Sequence, residues 1–186
     1  GVTGSEKKPV QFLGLALAFL LNRVNRRLLS IFFERAFFYD PRENPAFFVK
    51  SEFPMQRVPL DNDNFRHALL ATSSIPLVMN GIRDISGAEA GIYRDGGILD
   101  YHFDFGFERG DGLVLFPHFF DRITPGWFDK PLRWRRPAAG ALDDVVMIAP
   151  RDEFVAALPG GHVPDRGDFF ALETDDRIRQ WRAVLS

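Results

Sequence analysis

The pattern of apolar and polar positions divides the chain into a series of short elements. The longest apolar run is Phe12 to Leu21, "FLGLALAFLL", closed by Asn22 and Arg23. Pro9 suits the first turn of a helix, and from there to about Arg35 the spacing predicts one long helix. Its first half is apolar all round. Its second half narrows to a stripe of Leu20, Val24, Leu28, Ile31 and Phe32, with Arg23, Arg26 and Arg27 outside it. "YDPRENP", Tyr39 to Pro45, reads as a turn cluster. "AFFVK" and "MQRV" read as short strands. Asp61 is a suitable N-cap for a helix through about Thr72, and Pro76 marks its end. "GIYR" reads as a strand entering an Asp-Gly-Gly turn. "GLVLF" and "DVVMIAP" read as buried strands, and "RDEFVAAL" and "TDDRIRQWRAVL" as helices with acidic first turns. The stretch from Thr124 to Ala139, "TPGWFDKPLRWRRPAA", reads as a long loop. Helices alternate with strands, so the expected class is α/β.

Composition narrows the function classes. The chain has 186 residues, enough for one domain or a domain fragment with its own core. The net charge of −2 supplies no basic field to recruit nucleic acid. There is no cysteine, which removes disulfides and thiolate chemistry. The apolar run is shorter than the roughly 20 residues that span a bilayer. It also lacks the charged start and cleavage site of a signal peptide, so the expected location is the cytoplasm or a membrane periphery. Phenylalanine occurs 20 times, often in pairs: Phe32–Phe33, Phe37–Phe38, Phe47–Phe48, Phe119–Phe120 and Phe169–Phe170. Such pairs build a bulky core or an acyl-binding wall. "RWRRP", Arg133 to Pro137, is either a solvated loop or a contact for anionic headgroups beside Trp134.

The chemistry-bearing stretch is "GIYRDGGILDYHFDF", Gly91 to Phe105. Asp100, His102 and Asp104 alternate, so on a strand they would share one face and could bind a divalent ion, with His118 and Asp121 following. A half-buried strand with a polar outer face explains the same alternation, with Tyr101, Phe103 and Phe105 inward. His67 falls within a helix and His162 in a Gly-Pro loop, neither with an evident partner. Ser73 and Ser74 stand at a helix C-terminus, where hydroxyls ordinarily bond backbone carbonyls.

"HALLATSSIPLVMNGI" followed by "GIYRDGGILDY" resembles the second half of a patatin-like phospholipase domain, over about residues 36–101. The resemblance implies a three-layer α/β/α sandwich, of which this chain is a part. It implies Asp95 as the catalytic aspartate of a Ser–Asp dyad, with Gly96 and Gly97 completing its turn. Ser73 and Ser74, within "ATSSIP", match the family segment that packs beside the dyad. The reaction implied is hydrolysis of a lipid acyl ester through an acyl-enzyme, with no metal or organic cofactor. A serine hydroxyl needs an adjacent base, and a closely held carboxylate can serve. The family's Gly-x-Ser-x-Gly elbow and glycine-rich oxyanion loop have no counterpart here: every serine lacks glycine at both −2 and +2. The chain also begins at Gly1. The expectation is therefore a piece whose nucleophile lies in a missing N-terminal half or on a second chain, and which is inactive alone. The helix from Pro9 to Arg35 and the strand before Asp95 are the expected contacts with that half. Two other functions fit the residues: a non-catalytic lipid-binding or interaction module of the same fold, and a metal-dependent hydrolase built on Asp100, His102 and Asp104.

Overall fold

A computed structural model of the chain describes residues 2–3, 6–43, 52–104, 112–165 and 167–185. The class is α/β: helices mixed with small parallel and antiparallel sheets. Two compact units form, one from Gly1–Gly110 with Ile123–Asp143, the other from Asp111–Arg122 with Asp144–Ser186.

The first unit contains β1 (Val2–Thr3), α1 (Lys8–Val24), β2 (Arg35–Tyr39), β3 (Met55–Pro59), α2 (Phe65–Thr72), β4 (Ile82–Arg83) and β5 (Ile92–Tyr93). β2 and β3 pair in parallel, Arg35 opposite Met55 through Tyr39 opposite Pro59. β5 lies between β1 and β4 and runs antiparallel to both. Ile92 and Tyr93 are buried and paired along both edges, so the strand before Asp95 offers no open edge to a missing half.

The helix expected to reach Arg35 stops at Val24. Asn25 adopts an extended conformation (φ −152°), and its side-chain oxygen accepts the Arg27 amide at 3.0 Å. A short polar side chain that bonds nearby backbone competes with the helical ladder, and here it wins. A 3₁₀ helix, Arg26–Ile31, follows, and the chain is already extended in β2 by Arg35. The break aims Arg26 inward, where it is buried. α2 also starts later than its sequence suggests. The Asp61 carboxylate accepts from the amides of Asp63 and Asn64, both at 2.9 Å, and caps a turn that precedes the helix. "AFFVK" lies outside the described residues.

The main core cluster holds Ala18, Leu29, Phe33, Phe53, Ile98, Leu99 and Phe128, with Leu15, Phe19 and Phe32 against it. A second cluster joins Ala71, Ile85 and Tyr93 to Ala36, Phe38, Ile82 and Ala88. The stretch from Thr124 to Ala139 is a long loop, as its sequence suggests, and residues 133–139 are largely exposed, but its first part packs inward. It folds into a 3₁₀ turn at Trp127–Asp129 and buries Thr124, Phe128, Asp129 and Leu132. Gly126 makes this approach possible, because a Cβ there would lie 3.1 Å from the Ile98 carbonyl oxygen and 3.3 Å from that of Leu99.

The second unit pairs β6 (Val114–Pro117) in parallel with β7 (Val145–Ile148), then adds α3 (Asp152–Ala157), α4 (Asp168–Ala171) and α5 (Thr174–Leu185). Asp168 is buried. Its carboxylate accepts the Trp181 indole N–H at 2.7 Å and contacts His162 Nε2 at 2.7 Å. Of the described phenylalanine pairs, Phe32 and Phe33 build core, whereas Phe119, Phe120, Phe169 and Phe170 are exposed; Phe47 and Phe48 lie outside the described residues.

Candidate active site

The turn carrying Asp95 leaves β5 directly and forms a 3₁₀ helix at Gly96–Ile98. Asp95 caps it, with Oδ1 accepting the Gly97 amide at 2.8 Å. Among the described residues that amide is the one donor to the Asp95 carboxylate, which is half-buried. The Asp95 backbone N–H donates to the Ser74 carbonyl at 3.2 Å, so the turn sits against the end of α2. A positive φ at one of the two glycines would follow from a sharp elbow. Neither Gly96 nor Gly97 has one, because a 3₁₀ turn capped by its own aspartate uses ordinary right-handed angles. Gly97 instead gives room: a Cβ there would lie 3.1 Å from Asp95 Oδ1, while one on Gly96 would meet nothing.

The hydroxyls of Ser73 and Ser74 both bond back into α2, to the carbonyls of Leu69 at 3.4 Å and Leu70 at 2.8 Å. Ser74 is buried in this role and Ser73 is exposed. Beyond them Ile75, Leu77, Val78 and Met79 are exposed apolar residues, and Leu77 holds φ +67°. A non-glycine residue in that region is strained, and such strain gathers at functional sites.

Arg94 was not legible as a site residue, yet it fixes this corner. Its buried guanidinium donates to Glu6 Oε1 at 2.7 Å and to the Met79 carbonyl at 3.0 Å. It thus ties the residue before Asp95 to the segment after Ser74. Gly81 lets the strands close beneath it: a Cβ there would stand 2.5 Å from Ile92 Cγ2.

The metal arrangement does not form. Residues 100–104 are irregular, with a bend at Tyr101 and His102, and form no strand, so Asp100, His102 and Asp104 do not share a strand face. Asp100 makes a bidentate pair with Arg35 at 2.7 and 2.9 Å. His102 Nδ1 accepts the Thr124 amide at 2.8 Å. His118 and Asp121 belong to the other unit. Among the described residues no group of three His, Cys, Asp or Glu side chains is placed to hold a metal ion. His67 is exposed on α2.

A second polar centre lies in the core of the same unit. Asp129, 1% exposed, accepts from Asn22 Nδ2 at 2.8 Å, the Gly126 amide at 3.1 Å and Arg26 Nε at 3.2 Å, with Arg135 Nε at 3.3 Å. Arg26 also reaches Glu52 and the Leu99 carbonyl. Burial alone would lower the Arg26 pKa. Glu52 and then Asp129 outweigh it and hold the guanidinium charged, above its ordinary value. Arg26 and Arg35 lie 4.8 and 5.3 Å from the centroid of the buried Phe53 ring. Each charged group here faces an opposite charge, while the buried Asn22 Oδ1 accepts no hydrogen bond among the described residues; the ion-paired centre reads as structural. No known protein family, curated protein or solved structure matches this chain.

Proposed function

We propose that this chain is the aspartate-bearing part of a patatin-like serine acyl hydrolase whose nucleophile is supplied from outside these residues. One observation carries the reading: the hydrogen bond from the Asp95 amide to the Ser74 carbonyl, which seats the Asp-Gly-Gly turn against the "ATSSIP" segment. The Gly97 amide holds one carboxylate oxygen of Asp95 and leaves the other for an incoming hydroxyl. In the reaction, Asp95 accepts the serine proton as the hydroxyl attacks the ester carbonyl. The tetrahedral intermediate then expels the alcohol, and water cleaves the acyl-enzyme. The exposed apolar side chains of Ile75, Leu77, Val78 and Met79 suit a lipid acyl chain or the segment bearing the serine. On this reading the nucleophile-bearing segment completes the three-layer α/β/α sandwich, and neither metal nor organic cofactor takes part.

The test is chemical labelling. The chain is tagged, isolated without dissociating its assembly, and treated with a fluorophosphonate. The expected label falls on a serine outside these 186 residues, within Gly-x-Ser-x-Gly. A label on Ser73 or Ser74, or none anywhere, overturns the proposal.

The Gly97 bond also favours a second reading, because it is what an ordinary turn cap makes. A non-catalytic lipid-binding module of this fold would keep Asp95 for the turn alone.

A further inference from the structure

α1 is packed on one side only. Leu15, Ala18, Phe19 and Asn22 face the core. Val10, Leu13, Leu17, Leu20 and Val24, spaced three and four apart, form one outward stripe and are exposed. Leu13 is 70% exposed and Val24 79%. With Phe12 and Ile31 the stripe exposes on the order of 500 Å² of apolar surface, near the most that monomeric proteins leave bare. Ordinary surface helices are polar on that face.

Its charge setting is as unusual. The chain as a whole carries −2, yet residues 7–33 contain five cations and no aspartate or glutamate. Of the cations only Arg26 is buried; Lys7 and Lys8 sit at one end of the stripe, Arg23 and Arg27 at the other. The loop that follows Asp129 joins this end. Arg135 donates to the Asn22 carbonyl at 2.6 Å, and the Arg23 guanidinium lies 5.8 Å from the Trp134 ring centroid. Trp134 is 61% exposed between Arg133 and Arg136, which are exposed too, and residues 130–142 contain no acid.

We propose that this surface docks on an anionic lipid bilayer, with α1 lying in the interface plane. An apolar stripe sinks into the acyl boundary, cations at its ends meet phosphate and carboxylate headgroups, and an indole sits at their level. A span is excluded by length: no helix among the described residues is long and apolar enough to cross a membrane. A second copy fits poorly. Either direction of two-fold helix pairing sets cations against cations, with no acid in the stripe to answer them. The inference replaces one expectation of the hydrolase reading, that the helix beginning at Pro9 contacts the nucleophile-bearing half, and otherwise stands apart from it: failure of either leaves the other.

The test uses the full chain and extruded vesicles of phosphatidylcholine, with or without about one-third phosphatidylserine. The bound fraction should rise at least about tenfold on the anionic vesicles and fall as salt is added. Leu13→Glu with Leu20→Glu, both at exposed positions, should lower binding by about tenfold or more at unchanged circular dichroism. Leu115→Glu, exposed in the other unit, should leave binding as it is. Equal binding to both vesicle types, or wild-type binding by the double variant, overturns the proposal. So does a wild-type oligomer that ignores vesicles and is dissociated by the double variant, which would make the stripe a protein interface.

Discussion

Replacing Asp129 by alanine should destabilise the first unit by about 4 kcal/mol. The magnitude follows from the donors left behind. The carboxylate is 1% exposed and water cannot substitute for it. Asn22 Nδ2 and the Gly126 amide would each remain buried without an acceptor, at about 1–2 kcal/mol apiece. Arg26 Nε loses a charged hydrogen bond worth about 1.5–3 kcal/mol, although Glu52 still balances its charge. Arg135 is partly exposed and retains the Asn22 carbonyl, so it adds little. The lower part of the summed range, about 3.5–5 kcal/mol, overlaps the roughly 3–5 kcal/mol expected when one partner of a buried ion pair is removed, and relaxation around the site favours it. Asp129→Asn keeps the shape but turns an amide nitrogen toward donors, and should cost about half as much. Urea unfolding followed by indole fluorescence measures both. In a Trp181→Phe background the remaining indoles, Trp127 and Trp134, report on this unit. A loss below about 1 kcal/mol for Asp129→Ala would refute the reasoning, because it would mean that solvent reaches the site.

Gly81→Ala should destabilise the β4–β5 sheet by about 1–3 kcal/mol, since the new Cβ would lie 2.5 Å from Ile92 Cγ2 and 3.0 Å from the Tyr93 carbonyl oxygen; thermal unfolding reads it, and an unchanged midpoint contradicts the close packing. His162 should titrate above its ordinary 6.5, because its Nδ1–H meets the Gly160 carbonyl and its Nε2–H meets Asp168. Asp168 is held below its ordinary 3.8 by the Trp181 N–H and then by His162. The His162 contribution is full below pH 6.5 and fades as pH rises through its raised value; the Asp168 contribution is full above pH 3.8 and fades as pH falls through its lowered value. The α4–α5 corner should therefore be firmest between those limits. An NMR titration in which His162 moves at or below pH 6.5, or is unaffected by Asp168→Asn, counts against it. The isolated 186-residue chain should not turn over p-nitrophenyl acyl esters, and steady turnover would place a nucleophile within it.

The short apolar runs were read well where local pattern decides the outcome. "MQRV", "GLVLF", "DVVMIAP" and the C-terminal helix all form, with ends shifted by a residue or two, but "GLVLF" and "DVVMIAP" are not the buried strands expected: they alternate half-buried and exposed, with Leu115, Val146 and Ile148 exposed. The failures have two causes: a short polar side chain that bonds nearby backbone, as at Asn25 and Asp61, and a polar side chain whose partner is distant in sequence. Asn25 ends α1 where the apolar pattern continues, and Arg26 then turns inward to Asp129, 103 residues away. Nothing in "TPGWFDKPLRWRRPAA" announces that its aspartate is the buried acceptor for that cation, so the pattern shows a long loop and not the inward packing of its first part. Likewise the Asp100–His102–Asp104 alternation imitates a strand, but Arg35, 65 residues earlier, claims Asp100. At the candidate site the Asp-Gly-Gly turn and its nearness to Ser74 were legible. The role of Arg94 was not, because its partners Glu6 and Met79 come from two other segments.

The central claim is that Asp95 does chemistry and does not merely cap a turn. Asp95→Asn separates these roles: the amide oxygen can still accept the Gly97 N–H, while the base is gone. The decisive measurement is acyl-ester turnover by the assembly that contains the nucleophile, wild type against Asp95→Asn. The account predicts a fall in kcat of about a thousandfold or more, with KM nearly unchanged and the fold intact. Turnover within about threefold of wild type would contradict it and leave Asp95 as a cap alone.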